Sequence, residues 1–263
     1  MPYRNDLGAV MRPDLHVFYV LDTSGSMQNK PIGVLNRAMD ETVDALKQVA
    51  AHHSDANVKI AVLEFNSTCR WINPAGPEYV DDFFWQDLAA AGRTEVGAAL
   101  RELDSKLSRN AFLNSMSSAY LPVIIFMTDG FATDDYEHEL NRILHNKWFA
   151  KATRVGFAIG RNPDTEMIAK LVGSSEAVIR TDDLGVFARL LRFVSVSAST
   201  LSGNSHTTDE EVSGSAAVKM ARDMAGVSRE EVSPSFTYEE TPFRDFNSDS
   251  SGTGFTWDST RVF

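Results

Sequence analysis

LHVFYVLDTSGSM, residues 15 to 27, decides the fold. The run from Leu15 to Leu21 is almost continuously apolar and closes on Asp22. A central parallel strand covered on both faces reads this way, because it has no solvent side on which to place polar residues. Pro31 suits the first turn of a helix. Ile32, Leu35, Met39, Val43, Leu46 and Val49 then recur at steps of three and four, which predicts an amphipathic helix directly after the strand.

Working outward, the same alternation continues to about Ser197. NVKIAVLEFN (57–66) and STCRWINP (67–74) read as two tightly joined strands forming an antiparallel edge hairpin that Pro74 ends. A helix is predicted near 95–114 with Thr94 as its N-cap. LPVIIFMTD (121–129) is a second buried strand that again closes on an aspartate. A helix near 136–149, a strand at 152–160, a helix near 165–172, a short strand at 177–180 and a last helix through Phe187, Leu190, Leu191 and Val194 complete the series. This order predicts an α/β fold with a doubly wound, mostly parallel central sheet, one antiparallel edge strand and helices on both faces. Ligands in such sheets sit at the carboxyl ends of the strands, where Asp22 and Asp129 fall.

Three segments follow: an N-terminal extension (1–13), one domain (14–198) and a tail (199–263). The tail is rich in Ser, Thr, Gly and acid and reads as largely disordered, with one short helix around 216–225. Its aromatics, among them Phe236, Tyr238, Phe243 and Trp257, serve either as docking points for a partner or as contacts folded back on the domain. From Thr200 onward there are 11 acidic against 5 basic residues, which is more than half of the overall net charge of −11. That balance excludes nucleic acid and anionic membrane as main partners. No apolar run reaches the roughly 18 to 20 residues that span a bilayer. The N-terminal stretch shows no secretory pattern, and the lone Cys69 forms no internal disulfide, so a cytoplasmic location is expected. Cys69 itself reads as a small strand residue.

Asp22-Thr23-Ser24-Gly25-Ser26 places one carboxylate and two hydroxyls on a tight turn that Gly25 makes sterically cheap. Alone, such a sequence is equally an ordinary turn. Two further oxygen donors stand in loops expected on the same edge, Thr94 in AGRTEVGAAL and Asp129 in IIFMTDG. Hydroxyls plus two carboxylates form a hard ligand set that suits Mg²⁺, with Mn²⁺ or Ca²⁺ as alternatives, and disfavours zinc. Asp134 and Asp135 are read as caps of the following helix. The histidines, including the pairs His52/His53 and His138/His145, are read as surface or structural.

The pattern Asp22, Ser24, Ser26, Thr94, Asp129 resembles, in order and in context, the metal-ion-dependent adhesion site of the von Willebrand factor type A domains. The resemblance covers about residues 14 to 198. It implies a divalent cation held by the hydroxyls of Ser24, Ser26 and Thr94, with Asp22 and Asp129 bound directly or through water. It also implies a protein partner that supplies an Asp or Glu to the metal, with Arg93 and Glu95 beside the site facing that partner. DTSGSM, TEVGAAL and MTDGFATDD look most like the bacterial TerY-type tellurium-resistance branch, which implies a stress-response or phosphosignalling context with a kinase or phosphatase as partner. Two departures stand out. Arg93 occupies a position where relatives often carry a small residue, and a single cysteine leaves no room for the cysteine-rich segment of some TerY-type proteins.

Catalysis is not expected. Aspartyl-phosphate chemistry needs a second acid where this chain has Ser24, and no phosphate loop, dinucleotide fingerprint, nucleophile elbow or zincin motif occurs. A third reading makes the Asp22 cluster a purely structural clamp, with binding left to the tail.

Overall fold

The computed structural model describes residues 12–52, 56–114, 119–160, 163–203 and 213–225. The sheet is built on β1 (Asp14–Asp22), all nine residues of which are buried. It pairs in parallel with β2 (Asn57–Phe65) on one side and β5 (Val123–Thr128) on the other. β6 (Thr153–Ile159) and β7 (Val178–Thr181) continue the parallel arrangement beyond β5. Along the far side of β2 lie two short antiparallel segments, β3 (Cys69–Trp71) and β4 (Glu78–Tyr79). The expected edge hairpin is therefore present, and a second short segment extends the same edge. Strand order is β3-β2-β1-β5-β6-β7, with β4 also on β2. The order reverses between β1 and β5, which opens a crevice beyond their carboxyl ends.

Alternation along β1 sends Leu15, Val17, Tyr19 and Leu21 to one face and Phe18 and Val20 to the other. The first face is covered by α1 (Lys30–His52) and α6 (Leu184–Gly203), and the second by α2 (Val96–Lys106), α3 (Tyr136–Ile143) and α5 (Thr165–Val172). Each Val, Leu or Ile so enclosed contributes roughly 1.5–3 kcal/mol. Sandwiching between two helical layers is why the strand sequences carry no polar alternation.

Several boundaries differ from expectation for local reasons. The helix expected over 95–114 stops at Lys106, after which a turn brings Phe112 and Leu113 into the core. The helix expected over 136–149 breaks in two, because the Asn146 side chain accepts from the Trp148 N–H (2.9 Å) and starts a new helix, α4 (Lys147–Lys151). α6 runs to Gly203, and the helix expected around 216–225 is present as α7 (Gly214–Ala225). Ala217, Val218 and Ala221 of α7 pack into the same core as α1 and α6. The disorder expected for the rest of the tail falls on 204–212 and 226–263, outside the described residues, as does the extension up to residue 11. Among the described residues no helix is long and apolar enough to cross a membrane.

Candidate metal site

Three loops meet at the crevice between β1 and β5. The first follows β1. Its Asp22 is fully buried and uses both carboxylate oxygens: one accepts from the Ser24 N–H at 2.7 Å, the other from the Thr128 hydroxyl at 2.5 Å. Leu21 pairs with Met127 in the β1–β5 register, so Asp22 and Thr128 stand side by side at the strand ends. Ser24 and Ser26 then bring their hydroxyls within 3.0 Å of each other across a 3₁₀ turn (Gly25–Met27).

The second loop follows β5. Ser26 Oγ donates to Asp129 Oδ1 at 2.7 Å, joining residues 103 apart in sequence. The third loop enters α2. Thr94 is buried, and Gly130 lies against both it and Ser26: a Cβ there would be 3.6 Å from Thr94 Oγ1 and 3.8 Å from Ser26 Oγ. Asp22, Ser24, Ser26, Thr94 and Asp129 are thus brought together. Arg93 is exposed on the rim, and Glu95 is half-buried at the start of α2.

Backbone bonds hold the loops in register. Thr23 N–H donates to Phe65 O (2.8 Å), Ala91 N–H to Thr23 O (2.8 Å) and Gly25 N–H to Gly92 O (2.9 Å). Gly92 has φ +82, and a Cβ there would sit 2.7 Å from Ser67 Oγ, so only glycine lets the Thr94 loop lie against the Asp22 loop. Ser67 in turn accepts from the Arg93 N–H at 2.9 Å. Thr94 does not cap α2. Its carbonyl accepts from the Thr133 N–H (2.8 Å) and hydroxyl (3.1 Å), and Asp134 caps the helix instead, accepting from the N–H groups of Gly97 (3.0 Å) and Ala98 (2.9 Å). Asp134 therefore serves α2 and not the helix that follows it, whereas Asp135 caps α3 as expected, accepting from the His138 N–H. Freed from capping, the Thr94 hydroxyl faces the site.

The electrostatics leave a deficit of positive charge. Burial raises the Asp22 carboxyl above the ordinary range, hydrogen bonds from Thr128 and Ser24 draw it partly back, and the negative Asp129 pushes it up again. Burial likewise raises Asp129, against the Ser26 hydroxyl that opposes the shift. A cation among these oxygens would reverse both tendencies. The donors, two carboxylates and three hydroxyls, are hard oxygens of the kind divalent cations take. Among the described residues no group of three or more His, Cys, Asp or Glu is placed to hold a metal, so any such capacity rests on the hydroxyls.

Sequence reading overlooked Thr128, whose hydroxyl binds Asp22 and also accepts from the Gly130 N–H at 3.2 Å. Its only signal is its place immediately before Asp129 at a strand end. Cys69 lies half-buried in β3, and burial together with Glu102, Glu95 and Asp134 raises its thiol to about 11, which disfavours the thiolate. His138 and His145 are exposed, and their rings meet Glu139 and the Asn141 carbonyl and not the site oxygens; the His52 side chain and His53 lie outside the described residues.

No family profile and no curated protein matches the chain. Solved structures do. A von Willebrand factor type A protein from Catenulispora acidiphila aligns with TM-score 0.55 and 18% identity over 72% of this chain and 43% of its own. Proximal thread matrix protein 1 from the mussel byssus, with zinc in its metal-ion-dependent adhesion site, aligns with TM-score 0.54 and 17% identity over 71% and 48%. The pilus adhesin SpaC from Lactobacillus rhamnosus GG aligns with TM-score 0.57 and 11% identity over 76% and 32%. The chain spans less than half the length of each. With the strand order, the two helical layers and these likenesses together, the fold is that of the von Willebrand factor type A domains.

Proposed function

We propose that Asp22, Ser24, Ser26, Thr94 and Asp129 hold a divalent cation, Mg²⁺ in the first instance and otherwise Mn²⁺ or Ca²⁺, and that the protein is a non-catalytic module binding another protein there. The observation that carries this reading is the Ser24–Ser26–Asp129 hydrogen-bond chain with Thr94 beside it across Gly130, three hydroxyls from two loops gathered near two carboxylates, Asp22 and Asp129, that burial disfavours. A bound divalent cation supplies the electrophilic charge to which a partner's Asp or Glu coordinates. The chain's own residues prepare for it. Asp22 fixes the backbone of Ser24, Thr128 fixes Asp22, and Ser24, Ser26 and Thr94 present neutral oxygens that bind without cancelling the cation's charge. Arg93, exposed on the rim, favours approach of an acidic partner, and Glu95 beside it biases which one.

The zinc held by the mussel protein makes zinc a competitor to be tested, against the preference of hard oxygens for Mg²⁺. The resemblance of DTSGSM, TEVGAAL and MTDGFATDD to the TerY-type branch supports a stress-response or phosphosignalling complex, with a kinase or phosphatase as partner. A single cysteine supports a cytoplasmic setting.

Thermal unfolding with Mg²⁺, Mn²⁺, Ca²⁺ or Zn²⁺, on wild type and Ser26→Ala, tests the site. Cation stabilisation present in wild type and lost in the variant supports it, and equal response in both removes it. Partner capture in Mg²⁺ and in chelator then separates the two uses of the site. Stability that follows the metal while association ignores it would make the cluster a structural clamp.

A further inference from the structure

At the outer edge of the sheet, far in sequence from the three loops, α7 and the short turn Ser175–Ala177 enclose a cleft of about 480 Å³. That volume falls within the roughly 300–1,000 Å³ of small-ligand clefts, and charged and hydroxyl side chains share its lining with Val178, Ala216 and Val218. Ser215, Lys219 and Arg222 recur at four- and three-residue steps and so line it as one stripe of α7. Ser175, Glu176 and Val178 form the opposite wall.

We infer that this cleft binds a phosphate monoester. Two cations, Lys219 and Arg222, stand on one helical stripe and share the cleft with serine hydroxyls. Arg and Lys with hydroxyl donors are the groups that hold a phosphoryl dianion. Among the described residues Lys219 enters no ion pair, although Glu176 lines the same cleft. The first turn of α7, which includes Ser215, adds the positive end of a helix of 12 residues.

The walls are fixed in place. Gly214 lies so close to Arg154 that a Cβ would overlap its carbonyl oxygen, which pins the start of α7 to β6. Ser174 Oγ and Ser215 Oγ are 3.3 Å apart and join the two walls at one end. Ala217 and Ala221 are buried on the core side of the helix. Glu176 distinguishes a monoester from a bare anion, because its carboxylate accepts from a hydroxyl, amide or ammonium on the ester side.

The test is an NMR titration of the full chain at constant ionic strength, with inorganic phosphate in one arm and O-phosphoserine in the other. Lys219 is exposed, so Lys219→Gln leaves the fold intact, and Lys151→Gln on α4 is the control for loss of surface charge. Saturable shifts at Ser175, Glu176, Ser215 and Lys219, with affinity at least fivefold weaker in Lys219→Gln and unchanged in Lys151→Gln, are expected, with O-phosphoserine binding more tightly than phosphate. Binding of phosphate without a gain for O-phosphoserine would overturn the assignment of a monoester. Absence of saturable shifts in both arms, or equal affinity in Lys219→Gln, would overturn the site.

Discussion

β1 begins and ends on a buried aspartate, and the two are treated in opposite ways. Asp14, at the amino end, is met by a cation of the protein itself: Lys59 Nζ lies 2.9 Å from its carboxylate, and the Asn57 side chain donates to it at 3.2 Å. Asp22, at the carboxyl end, is fully buried and receives the hydroxyls of Thr128 and Ser24 and the Ser24 amide, with a second carboxylate, Asp129, as its charged neighbour. Both ends have the same strand geometry. One charge is met by a lysine, and the other, among the described residues, by neutral donors. A buried carboxylate held by neutral donors beside another carboxylate is costly for folding alone, and the cost is consistent with a site built around a cation.

The sharpest way to break this contrast is to supply the cation. At about 100 times its dissociation constant a divalent ion should stabilise wild type by ~2.7 kcal/mol. Asp129→Ala and Ser26→Ala should lose that gain, read as the shift in Tm, while Asp14→Ala keeps it. Next in size is Asp14→Ala without metal, which strands Lys59 and should cost about 2 kcal/mol in urea denaturation, the pair being near the end of the sheet and only partly enclosed. Comparable loss of the metal response in that variant would erase the distinction between the two ends.

The amino end should also set the acid sensitivity of the fold. Burial holds the His16 imidazole down to about 4, with Asp14 raising it and Lys59 lowering it. A histidine whose pKa is depressed by folding is neutral in the native state, so its contribution is complete above the unfolded value near 6.5. It is lost as pH falls from there toward 4. Stability should drop by ~2 kcal/mol between pH 7 and pH 5, and His16→Phe should flatten that slope in denaturant titrations. The smallest expected effect sharpens the carboxyl end. Asp134→Ala removes two hydrogen bonds to the start of α2 and should cost about 1 kcal/mol, together with a weaker cation response, because α2 and the 94–98 segment position Thr94. An unchanged response would mean that the Thr133 bonds alone suffice to hold Thr94.

Much of this was legible in the chain before folding was considered. Apolar runs at 15–21 and 121–127 specify central parallel strands, because burial on both faces admits no other composition. The five oxygen-bearing residues were legible because each stands where a strand of such a sheet ends or a helix begins. Boundaries were less legible. Phe112 and Leu113 continue an apolar pattern that suits a helix, yet they reach the core from a turn, and Asn146 restarts a helix through a side-chain bond that no periodicity records.

Read alone, then, the sequence determined the α/β alternation and the antiparallel edge, since strand burial and turn chemistry are local properties, and it marked five oxygen-bearing loop residues as candidates for one site. Only the tertiary structure decided the rest. It paired Thr128 with Asp22, assigned Asp134 to α2 rather than α3, released Thr94 from capping, and set Lys59 on Asp14 but, among the described residues, no Lys or Arg on Asp22. Each of these is a contact between residues more than 30 positions apart, or follows from one. Which donor meets which acceptor across such distances depends on strand order and register, and those are settled by packing the whole sheet between its helices.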